Sequence, residues 1–102
     1  MGLFQRTTAI SSTNTVIVTG VSGRQTNLLT ISVINTGSTA AVLDVKDSTT
    51  IIHSFSVPAY GACFYDWGDT NDIGRLLTAG NNCQGAARAA ATLEVVIEFG
   101  RV

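Results

Sequence analysis

An all-β fold is what this sequence predicts: an antiparallel β-sandwich, jelly-roll-like or Ig-like, of about seven or eight short strands. Three observations carry that expectation. Short runs rich in β-branched and aromatic residues recur at roughly 8–12-residue spacing, separated by Gly, Asn, Ser and Thr clusters. Several runs alternate apolar and polar residues with the period of two that marks a half-buried strand. No long helical pattern intervenes, so consecutive strands are expected to pair antiparallel and pack as two sheets. With 102 residues the chain is long enough for one domain.

Residues 1–13, MGLFQRTTAISST, are polar and read as an extended N-terminal arm, with residues 14–102 forming the sandwich domain. An arm of this kind is either a loose terminus or a strand-like segment that docks on a neighbour. Leu3 and Phe4 give it an apolar pair to bury. TVIVTG, 15–20, is a β-branched run, and VSGRQT, 21–26, is a turn around Gly23. NLLTISVIN, 27–35, places Leu29, Ile31 and Val33 on one face and Thr30 and Ser32 on the other. After the turn TGST, AAVLDVKD sets Leu43 and Val45 against Asp44 and Lys46. STTIIHSFSV, 48–57, puts Ile51, His53, Phe55 and Val57 on one face. Pro58 ends that run, because proline has no N–H for the middle of a ladder. In YGACFYDW, 60–67, Cys63, Tyr65 and Trp67 lie opposite Phe64 and Asp66. A loop follows to Asn82, in which IGRLL has room for one helical turn weakened by Gly74. CQGAARAAAT, 83–92, is ambiguous: its alanines favour helix, its Gly85 and its β context favour strand, turn, strand. LEVVIEFGRV closes the chain, with Leu93, Val95, Ile97 and Phe99 inward and Glu94 and Glu98 outward.

Few residues suggest chemistry. The stretch DWGDTNDIG, 66–74, gathers Asp66, Asp69, Asn71 and Asp72 around Trp67. Calcium takes six to eight oxygens, often from closely spaced acids. The alternate spacing and distant Glu of an EF-hand loop are missing here. Asx side chains more commonly cap backbone donors in loops, which is the reading adopted. His53 is the only histidine and falls on an apolar strand face, so a half-buried, hydrogen-bonded core residue is expected rather than a triad member or metal ligand. Tyr65 and Trp67, with Tyr60, have the composition of a sugar-stacking platform, but aromatics at period two are more often core. Arg75 and Arg88 read as isolated loop contacts. Glu94 and Glu98 stand roughly 13 Å apart along their strand, too far for a retaining glycosidase pair. No enzyme and no cofactor is expected.

The charge balance excludes further classes. Net charge is −1 and charged residues make up 13% of the chain, so there is no basic field for nucleic acid or an anionic membrane. A surface this poor in charge is explained either by extensive contact with other protein copies or by a Thr-rich β surface that stays soluble. No apolar run approaches a membrane span. No secretory leader pattern opens the sequence, and Arg6 stands where a myristoylation signal needs Ser or Thr, so use without secretion or lipid is expected. Cys63 and Cys83 lack zinc spacing and read as buried free thiols.

The order of phrases resembles a group of small phage virion proteins that includes capsid decoration, or cement, proteins. NLLTISVINTGSTAAVLDVKDSTTIIHSFSVPAYGACFYDW resembles the middle of that group, and LLTAGNNCQGAARAAATLEVVIEFGRV resembles its end, over residues 27–102. The group usually carries an apolar residue after its Gly-Asn pair, where this chain has Asn82 and Cys83. The DWGDTND loop is local to this chain. The resemblance implies a β-sandwich without catalysis, strand, turn, strand for the Ala-rich segment, and a place on the capsid exterior after assembly in the host cytoplasm. It implies the major capsid protein as partner and a homo-oligomer, a trimer. The residues expected to make contacts are Leu3 and Phe4 on the arm and Asp66, Trp67, Asp69 and Asp72 in the loop. A tail, baseplate or fibre module and a carbohydrate-binding sandwich are the alternatives.

Overall fold

The structure, a computed structural model, describes residues 4–68, 74–88 and 92–102. Among the described residues nine strands run in order: β1 (Phe4–Ile10), β2 (Thr15–Val18), β3 (Thr26–Asn35), β4 (Ala41–Asp47), β5 (Thr50–Val57), β6 (Ala62–Asp66), β7 (Arg75–Leu76), β8 (Cys83–Ala87) and β9 (Leu93–Arg101). They form two antiparallel sheets. Sheet A has the order β1-β9-β3-β6, with the two-residue β7 also paired to β3; sheet B has the order β2-β8-β4-β5.

This pairing chooses between the two sandwich types. With β7 set aside, the first strand pairs with the last, β2 with β8, β3 with β6 and β4 with β5. The chain is thus one long antiparallel hairpin, rolled up so that β9 also meets β3 and β8 also meets β4. That is the jelly roll, two Greek keys in two sheets. The innermost turn, at Ser48 and Thr49, is tight, and Ser48 adopts the left-handed backbone (φ 56°) that suits a short hairpin turn.

The core lies between the sheets and is mainly aliphatic. Ile31, Val33, Leu93, Val95 and Ile97 from sheet A meet Ile17, Leu43, Val45 and Val57 from sheet B. The inward set expected for β9 is inward, because its period of two is unbroken. Three other strands depart from strict alternation at bulges, where one strand carries an extra residue and its faces exchange; in β2 the step opposite β8 runs from Val16 to Val18, over the buried Ile17. Opposite β9, the register of β3 steps from Leu28 to Thr30. Leu28 is consequently buried and Leu29, expected inward, is only half-buried. Opposite β4, the register of β5 steps from His53 to Ile51. Ile51, also expected inward, is turned out and 50% exposed, while Ile52 packs on the core. The helical turn considered for IGRLL is not formed over its described part: Gly74 is left-handed (φ 73°) and Arg75–Leu76 is strand β7. The Ala-rich segment begins as strand β8, and residues 89–91 lie outside the described residues. Within residues 1–13 the described stretch Phe4–Ile10 is extended and pairs along β9, from Phe4 opposite Phe99 to Ile10 opposite Leu93.

Candidate interaction surface

The outer face of sheet A is laid out by strand register. Ile34 on β3 stands between Glu94 on β9 and Ala62 on β6; Ser32 stands between Val96 and Phe64; Thr30 stands between Glu98 and Asp66. Alternation forces this arrangement: once Ile31 and Val33 enter the core, Ser32 and Ile34 must face water. The outcome is an apolar patch at the β6 side of the sheet. Phe64 is 65% exposed and Ile34 42% exposed. Carboxylates lie beside it, Glu98 accepting a hydrogen bond from Thr30 Oγ1 at 2.7 Å. A large exposed ring beside a branched aliphatic is the kind of surface that interfaces use.

The outer face of sheet B is bonded to itself. Asp44, although on the outward side of β4, is buried beneath Arg88. The guanidinium donates from Nε and Nη2 to both carboxylate oxygens at 2.9–3.1 Å, and Ser54 Oγ donates to Oδ1 at 2.7 Å. The Arg88 hydrogen bonds hold the Asp44 carboxyl below the usual carboxylate value, against the opposing effect of its partial burial. Arg88, expected as an isolated loop contact, is therefore an ion-pair partner. Next to it an open groove of about 390 Å³ runs over Ala41, Val42, Ser56, Pro58 and Arg88. Its walls are apolar, and its one guanidinium is already engaged by Asp44. At the other end of β4, Asp47 accepts from Thr78 N, Thr78 Oγ1 and Asn81 Nδ2 at 2.8–3.0 Å, fastening the loop that leads into β8. Burial pushes the Asp47 pKa up, but these donors outweigh it and the net shift is downward.

At the β5/β6 margin four rings join the sheets. His53 stacks on Phe55 with centroids 4.2 Å apart, and Tyr65 of β6 and Trp67, just past its end, close in at 4.7 and 5.9 Å. Burial, and secondarily the charge of Arg75, lowers the His53 pKa. Trp67 is 6% exposed, and Tyr60 projects from a separate turn, so these rings present no flat platform to a sugar. Both cysteines are free; Cys83 is fully buried, its thiol pushed up to about 12, and Cys63 is half-buried.

Of the residues expected to make contacts, Leu3, Asp69 and Asp72 lie outside the described residues. Phe4 is an edge residue, stacked on Phe99 (5.4 Å) with the Arg101 guanidinium over both rings. Trp67 belongs to the ring cluster, and Asp66 is half-buried on the outer face opposite Thr30. No group of three or more His, Cys, Asp or Glu side chains able to hold a metal ion occurs among the described residues. Phe64 and Ile34, the most prominent outward apolar pair of sheet A, were not singled out from sequence, although the outward position of Phe64 follows from the same alternation that turns Tyr65 in.

No family model matches the chain, and no curated protein does. Solved structures do. A chain in the capsid structure of Helicobacter pylori bacteriophage KHP30 is 14% identical, with a TM-score of 0.54 over 98% of this chain and 92% of that one. A chain from Bacillus endospore appendages, a family of disulfide-linked pili, is 12% identical, with a TM-score of 0.51 over 97% and 86%. At such identity the likeness shows the shared fold alone.

Proposed function

We propose that this chain is a structural protein of a bacteriophage particle, a capsid decoration protein that seats on the outer shell and bridges neighbouring major capsid subunits. The carrying observation is the outer face of sheet A, where Phe64 and Ile34 face solvent on a domain whose own core is complete. The core between the sheets is built from other residues and makes no use of this pair, and covering it on a shell removes apolar area from water. Three further observations support the reading. The jelly roll is shared with a chain of the KHP30 capsid structure. The low charge of the chain suits a surface that meets other proteins. The sequence itself resembles small phage virion proteins.

The test uses undecorated shells from the phage whose genome carries this chain. Purified protein is expected to cosediment with them at about micromolar concentration and to raise the temperature at which they come apart. Absence of binding at that concentration would sink the reading.

A further inference from the structure

The exposed apolar side chains of sheet A share their face with acids and with no base. Three cross-strand rows run over the outward positions of β9, β3 and β6: Glu94, Ile34 and Ala62; Val96, Ser32 and Phe64; Glu98, Thr30 and Asp66. On the far side β1 continues these rows with Ala9, Thr7 and Gln5, so none of them holds Lys or Arg. The row of Phe64 therefore lies between two rows that each carry a carboxylate on β9. Among the described residues Glu94 is exposed and has no ion-pair partner, and Glu98 accepts from the neutral Thr30 hydroxyl. The cations with described side chains lie elsewhere. Lys46 and Arg88 are bonded on sheet B, Arg75 is on β7 near His53, and Arg24 and Arg101 donate to backbone carbonyls.

Register decides what such a face can seat on. Ile34 and Glu94 are direct cross-strand partners, with side chains that start about 5 Å apart. A surface that covers Ile34 therefore also takes water from Glu94. A carboxylate that loses water without gaining a partner is strongly disfavoured, and an acidic surface opposite would add repulsion. We propose that the surface covering sheet A is basic: an apolar hollow for Phe64 and Ile34, flanked by two Lys or Arg side chains roughly 13 Å apart that meet Glu94 and Glu98. The inference rests on the shell reading and names what the shell must present. It also fixes an orientation. The two acids stand on β9 and the Phe64 ring two strands away on β6, so a half-turn that keeps the acids matched moves the ring off its hollow. With a net charge of −1 the chain as a whole exerts little long-range pull, and the two carboxylates act locally.

The experiment measures the affinity of the full chain for undecorated shells by cosedimentation, at about 0.05 and 0.5 M salt, between which screening becomes severe. Wild-type binding is expected to weaken at the higher salt. Glu94→Gln/Glu98→Gln keeps the shape and removes the charge; it is expected to bind roughly tenfold more weakly at low salt, and Glu94→Lys/Glu98→Lys more weakly still. Both deficits are expected to narrow at high salt. Phe64→Ser is expected to lose binding in either salt. All the positions changed are on the outer face, and circular dichroism confirms that the variants are folded. The sign of the Gln result is decisive, because a neutral or acidic partner would favour the uncharged face. A Gln variant that binds as tightly as the wild type, or more tightly, would overturn the proposal. Loss of binding in Phe64→Ser would still uphold the shell reading in that case. A wild type that binds no shells in either salt would overturn both.

Discussion

β9 and β8 hold equivalent places, each lying second in its sheet beside an edge strand, yet they are built from opposite materials. β9 buries Leu93, Val95, Ile97 and Phe99. The inward positions of β8 are Cys83, Gly85 and Ala87, small side chains on a strand of poor β-propensity. What β8 lacks its surroundings supply. The Ile17 side chain from β2 fills the space over Gly85: a Cβ built there would lie 2.9 Å from Ile17 Cδ1. Backbone bonds tie its end, Ala87 N to Ser11 O and Arg88 N to Val42 O, and Asp47 holds the loop that leads into its start. The difference teaches that a strand keeps its place in a sheet through pairing and the bulk of its neighbours as much as through its own residues. β9 is held by its own side chains; β8 draws part of its support from Ile17 on the neighbouring strand and from polar contacts.

The largest effect that would test this contrast comes from truncating the two strands in parallel. Ile97→Ala is expected to cost about 2–5 kcal/mol, the transfer term plus the cavity left in a close-packed centre. Cys83→Ala, at the corresponding depth of β8, removes one heavy atom and is expected to cost roughly 1 kcal/mol. Urea unfolding midpoints read both. Equal losses would show that β8 is as self-sufficient as β9 and would break the comparison.

A smaller effect probes the borrowed bulk directly. Gly85→Val forces extra carbon against Ile17 and is expected to destabilise by about 1–3 kcal/mol. Ile17→Ala alone opens a cavity, but combined with Gly85→Val it makes the room the new side chain needs. The double variant should therefore be more stable than the sum of the single losses predicts. Simple additivity in the same urea series would mean that Ile17 is not what fills the place over Gly85.

The same contrast explains what could be read from the chain. β9 was legible because its apolar period is unbroken and Glu94 and Glu98 mark the outside. The jelly-roll or Ig-like sandwich followed from strand rhythm, but the choice between them did not, since nesting β2 with β8 and β3 with β6 is a matter of long-range pairing. The bulges at Leu29 and Ile52 escaped for a related reason: a bulge belongs to two strands in register, not to one strand's pattern. β8 stayed ambiguous until a resemblance was considered, because its own residues argue for helix. The outward face of Phe64 was readable from alternation, whereas its nearness to Ile34, Glu94 and Glu98 required the fold. The Asp44–Arg88 pair escaped because 44 positions separate the partners.

That pair supplies the smallest and most diagnostic effect. Asp44 sits below its ordinary pKa of 3.8 chiefly because Arg88 donates to it. A carboxyl whose folded pKa is lowered adds stability that is present above its unfolded pKa and is lost as the pH falls through the folded value. Arg88→Gln removes the main cause, so the Asp44 pKa should rise toward its usual value. The wild type should then be the more stable protein at neutral pH, by less than either core change above because the guanidinium is largely in solvent. Salt should narrow the difference, and acid well below the ordinary carboxylate range should close it as Asp44 takes up its proton. Urea midpoints of both proteins, at neutral pH and again in acid, read this. A gap that stays constant across that range would mean that the Arg88–Asp44 charge pair is not what the substitution removes from the stability of sheet B.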